Sequence, residues 1–71
     1  MEFLLVKFAE DRELIIDGNV QGRSNQTIEL ERGSHTISLK SPPSDFQPQQ
    51  EEIVLENTTS ISPMEVRFEK L

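Results

Sequence analysis

The sequence predicts an all-β chain, a small antiparallel β-sandwich of six or seven short strands with no substantial helix. Two observations predict it. Apolar and polar residues alternate with a period of two in three segments, the pattern of a half-buried strand. Gly, Asn, Asp, Ser and Pro clusters break the chain between those segments, and no stretch carries capped helical periodicity.

Taken in order, Phe3 to Phe8 places Leu4, Val6 and Phe8 on one face and Phe3 and Leu5 on the other. Such a two-faced apolar run predicts a central strand, or one whose outer face meets another layer. The same reasoning applies to Leu14–Ile16 and Ile53–Leu55. Between them, Thr27-Ile28-Glu29-Leu30-Glu31 and Thr36-Ile37-Ser38-Leu39-Lys40 alternate strictly, with Ile28, Leu30, Ile37 and Leu39 inward. The last segment, Met64 to Glu69, turns Met64, Val66 and Phe68 inward.

The connections read as turns. Asp17-Gly18-Asn19 has the positive-φ preference of a tight hairpin, with Gly22 close behind. Arg32-Gly33-Ser34 reads as a hairpin loop with Gly33 at positive φ. The structural turn residues are thus Asp17, Gly18, Gly22 and Gly33. Pro42, Pro43 and Pro48 make residues 41–50 irregular, because proline removes a backbone donor.

A chain of 71 residues holds one domain, residues 1–71, with a small core. It has no cysteine, so neither disulfides nor thiolate metal sites support it. With 13 Asp and Glu against 7 Lys and Arg, the net charge is −6 and the cations are scattered. Phosphate backbones and anionic lipid need clustered cations, so neither nucleic acid nor a membrane surface is expected as a partner. The longest apolar run is Phe3–Val6, too short for membrane insertion or a signal-peptide core. These features make the cytoplasm the default compartment.

No catalytic, cofactor or metal constellation is expected. His35 is the sole histidine, and on its strand it shares a face with Ile37 and Leu39, so its ring is read as capping the core edge. General acid–base work needs a positioned partner, and Glu29 or Glu31 lies within a hairpin's reach of it. Glu10, Asp11 and Glu13 form the densest acidic group, read as solvated charge rather than a calcium loop. Two N-glycosylation sequons start at Asn25 and Asn57.

Residues 14–55 resemble the PEGA family of small β-sandwich modules, which have the immunoglobulin-like prealbumin type of fold. The resemblance is carried by Leu14-Ile15-Ile16-Asp17-Gly18-Asn19-Val20-Gln21-Gly22-Arg23-Ser24, by Ile28 through Leu39 with Gly33-Ser34-His35, by Phe46, and by Gln50 to Leu55. It implies a binding, spacer or cell-envelope role, often outside the cytoplasm.

The expected function is a non-catalytic binding or accessory module for another protein chain or an envelope component, acting through an exposed edge strand. Phe3, Leu5, Lys7 and Phe46 are the candidate interaction residues, with a homodimer as one arrangement. A carbohydrate-binding module is the alternative, resting on Phe46 as an exposed ring. A small enzyme or metal-dependent protein is the third reading.

Overall fold

Alternation alone forms most of the strands in the computed structural model, which describes residues 1–71. They are β1 (Glu2–Lys7), β2 (Glu13–Ile16), β3 (Asn19–Arg23), β4 (Thr27–Leu30), β5 (Gly33–Leu39), β6 (Phe46–Gln47), β7 (Glu51–Leu55), β8 (Met64–Arg67) and β9 (Glu69–Lys70). The count exceeds the expected six or seven. Residues 46–47 add a two-residue strand, and the last segment breaks at Phe68 into β8 and β9.

Two main sheets make the layers of a sandwich. One has the order β4-β1-β8 and the other β3-β2-β5-β7, while β6 and β9 form a short separate ribbon. All pairings are antiparallel except β1 with β8, which run parallel from Leu4↔Met64 to Lys7↔Arg67. Side-chain parity follows the sequence: Leu4, Val6, Leu14, Ile16, Leu30, Ile37, Leu39, Ile53, Leu55, Val66 and Phe68 all belong to one buried cluster. Ile28 and Met64 pack against it. No helix is present that is long and apolar enough to cross a membrane.

The first hairpin forms as its sequence dictates. Asp17 (φ 53) and Gly18 (φ 85) lie between the paired residues Ile16 and Asn19. Positive φ at both central positions is the type I′ geometry, whose twist matches that of the strands it joins. Gly33 is also at positive φ (128), but it is not in a hairpin. Strands β4 and β5 lie in different sheets, so Glu31 and Arg32 carry the chain from one layer to the other. The expected hairpin is wrong because two alternating strands with a short link look the same in sequence whether they pair or cross over. Gly22 (φ 78) has a second role: a methyl group there would lie 2.9 Å from Ile28 Cγ2. Its bare backbone lets β3 close over β4 at that flank of the sandwich.

Candidate functional site

His35 is fixed by register rather than by its own hairpin. Pairing of β2 with β5 brings Asp17 beside Thr36, whose backbone N–H donates to Asp17 Oδ1 at 2.9 Å. The other carboxylate oxygen lies 2.6 Å from His35 Nδ1, while His35 Nε2 is 2.7 Å from the Glu31 carbonyl. The imidazole side chain is 12% exposed. Both ring nitrogens face acceptors, so both contacts are satisfied only when each nitrogen carries a proton. The Glu31 carbonyl and then the Asp17 carboxylate push the His35 pKa up. The Thr36 amide, followed by His35, pulls the Asp17 carboxyl down. In that doubly protonated state the ring has no free lone pair for general base work. The ring joins the Asp17–Gly18 turn to the β4–β5 crossover.

The second polar cluster seals one end of the sandwich. Arg12 forms a bidentate pair with Asp45, at 3.0 and 3.3 Å, and also pairs with Glu10. Lys70 Nζ reaches Glu10 at 3.1 Å and Asp45 at 3.0 Å. The Arg12 guanidinium carbon sits 5.3 Å from the Phe8 ring centroid, a cation–π contact. Beneath it Phe46 makes edge-to-face contacts with Phe8 and Phe68, at 6.3 and 5.9 Å between centroids. Arg12 first, and Lys70 next, hold the Asp45 carboxyl well below the usual carboxylate range. The cluster has two cations and two anions, all mutually satisfied. It ties the β1–β2 connection, the Pro-rich segment and the C-terminal ribbon together.

The sequence signalled neither partnership, because Arg12, Asp45 and Lys70 are far apart along the chain. Asn25 was equally hidden. At φ 63 it donates from Nδ2 to the Phe8 carbonyl (3.1 Å) and accepts the Phe8 N–H at Oδ1 (3.2 Å). Its amide thus continues β1 as a backbone partner would.

The predicted interaction residues occupy other environments. Phe46 is 1% exposed in the core, so it provides no sugar-stacking platform. Phe3, Leu5 and Lys7 lie on the outer face of β1, and β1 is the central strand between β4 and β8. Its backbone is paired on both sides and cannot receive another strand. The two-faced apolar pattern marked that central position. Lys7 pairs with Glu65 at 3.1 Å across the outer face. Of the acids around the first connection, Asp11 pairs with Arg23 and Glu13 with Lys40. No group of three or more His, Cys, Asp or Glu is placed to hold a metal ion.

The free edges are β4, β8, β3 and β7. Strands β4 and β8 have four residues each, and Pro63 stands at the entry to β8. The β3 edge is irregular, with a register shift against β2 and Gly22 at positive φ, a device that disfavours further pairing. Strand β7 pairs with β5 in unbroken register from Gly33↔Leu55 to Ile37↔Glu51. It was expected to be central or covered, yet it is an edge with Val54 58% exposed. A depression of about 390 Å³ lies over the paired β5 and β7, lined by residues 34–36 and 52–54. Comparison with protein-family models, curated proteins and solved structures finds no match to this chain.

Proposed function

We propose that this chain is a non-catalytic binding module that receives an extended segment of a partner protein along β7. The observation that carries the reading is a regular five-residue edge without proline or bulge, bearing an exposed valine. Alternate residues of an edge strand turn their N–H and C=O groups outward, and a partner strand can satisfy them. Side chains give the partner's chemistry. Glu52 and Val54 project on the outer face, flanked by Glu51 and Glu56, so a segment alternating Lys or Arg with β-branched residues pairs best.

The PEGA-like reading belongs with this proposal. Its support is the resemblance over residues 14–55, which spans β2 to β7 and includes the receiving edge. An envelope component bearing a basic extended segment fits the same edge. The non-catalytic reading is supported by the use of His35, Asp17 and Asp45 in fixed structural contacts.

Selection of binders from a displayed library of random heptapeptides tests the proposal. The selected sequences should alternate basic and β-branched residues, and Glu52→Lys should weaken their binding at least about tenfold, the scale of an unfavourable charge pair at a contact. Acidic or patternless binders, or binders indifferent to Glu52→Lys, contradict it.

A further inference from the structure

The backbone phase of β7 follows from the bonds that its neighbour β5 makes to β2. The Asp17 N–H donates to the Thr36 carbonyl at 2.9 Å, and the Thr36 N–H donates to Asp17 Oδ1 at 2.9 Å. Lys40, just beyond β5, donates its N–H to the Glu13 carbonyl at 2.9 Å. Main-chain groups alternate sides along an antiparallel strand, so residues 36, 38 and 40 face β2 while His35 and Ile37 face β7. The hydrogen-bonded pairs of β5 with β7 are therefore His35↔Ile53 and Ile37↔Glu51. Glu52 and Val54 turn their N–H and C=O groups the other way, and no strand lies beyond them.

The open edge is thus the N–H and C=O groups of two residues. The side chains of the same two residues are exposed on the outer face, and Glu52 pairs with no cation. Ile53, between them, turns to the core face, where it keeps 8% exposure.

We propose that the partner segment adds antiparallel to β7, and that its basic residues, not the β-branched residues between them, carry the backbone hydrogen bonds. This rests on β7 being the receiving edge. Antiparallel addition places one partner residue opposite Glu52 and another opposite Val54, each exchanging both bonds with it. Three consecutive partner residues then satisfy every open group. Parallel addition slants the bonds, so five residues must be ordered to make the same set. The existing pairs of this sheet are all antiparallel as well. Residues directly opposite share a face, so the partner's bonding residues lie beside Glu52 and Val54 on the outer side. A Lys there meets the Glu52 carboxylate, and a second lays its methylene stem along Val54. The residue between them stands opposite Ile53 on the core face and is the β-branched one. Its own N–H and C=O point away from β7.

The probe is an end-capped heptapeptide, Ser-Gly-Lys-Val-Lys-Gly-Ser, titrated into the ¹⁵N-labelled protein. Saturable amide shifts are expected at Glu52 and Val54. N-methylation of either Lys removes a donor that faces β7 and should weaken binding at least about tenfold, the scale of a lost hydrogen bond whose acceptor stays unpaired. N-methylation of the Val should change the affinity by less than about twofold. A nitroxide at the peptide's N-terminal end should broaden the Leu55 amide more than that of Glu51. Binding at β7 that is lost on methylating the Val and kept on methylating either Lys overturns the inference and leaves the receiving edge intact. So does equal loss at all three positions, or stronger broadening at Glu51. Absence of β7 shifts with the unmethylated peptide overturns the receiving edge and this inference together. Every arm uses the unmutated protein, so misfolding of a variant does not enter.

Discussion

His35 sits between two acceptors, Asp17 Oδ2 and the Glu31 carbonyl, and its charge state therefore enters the stability of the fold. Its pKa is raised on folding from an ordinary value of 6.5. The folded state holds the extra proton more tightly, so this contribution is fully present below about pH 6.5 and is lost as pH rises through the folded value. Glu2, Glu10, Asp17 and Asp45 act in the opposite sense. Their carboxyls are lowered on folding, so their contributions are present above about pH 4.5 and disappear as pH falls through the folded values. Stability should thus peak between these limits, at pH 5–6. Urea unfolding midpoints should be higher at pH 5.5 than at pH 8.5, and His35→Gln should reduce that difference. Equal midpoints at both pH values in the unmutated protein contradict the doubly protonated ring. At this scale the sequence showed that His35 faces the core edge, as its parity with Ile37 required. It did not show Asp17 as the partner, because that contact depends on how β2 registers against β5.

Among the elements, the two glycines of the first hairpin do different work. Gly18 supplies positive φ (85) and has nothing within 4 Å of where a Cβ would stand, so Gly18→Ala meets backbone strain alone, about 1 kcal/mol. Gly22 combines positive φ (78) with Ile28 at 2.9 Å, so Gly22→Ala must also displace a side chain of the facing sheet, raising the cost to roughly 2–3 kcal/mol. Chemical denaturation of the two variants should rank them in that order; equal losses contradict close packing of β3 on β4. The Asp-Gly turn was legible because both residues must take positive φ, and their side chains announce it. The β4–β5 crossover was not. Alternation reveals which face of a strand is buried but is silent on which neighbour pairs with it.

Across the whole molecule, one buried cluster of 13 apolar residues joins both main sheets. A chain of 71 residues has a total stability of about 4–11 kcal/mol. Ile37 is fully buried, so Ile37→Ser should cost about 3–5 kcal/mol, combining a lost branched side chain with a buried hydroxyl. Val66→Ser, at a site with 7% exposure, should cost less, about 2–3 kcal/mol. Thermal melts that leave either variant unchanged contradict the two-layer core. The all-β class and nearly every inward residue were readable from period-two alternation. Edge and centre were not readable: Phe3–Val6 lies in a central strand, whereas Ile53–Leu55 has a similar two-faced pattern and lies at an edge. Pairing order is a long-range property: it makes β1 a central strand and leaves β7 as the open edge. The direct test is amide shift mapping of the ¹⁵N-labelled protein with a heptapeptide alternating Lys and Val. Saturable shifts centred on Glu51–Leu55 are expected, with slowed hydrogen exchange on alternate β7 amides and no change at Phe3–Val6. No binding, or shifts that spare β7, would contradict it.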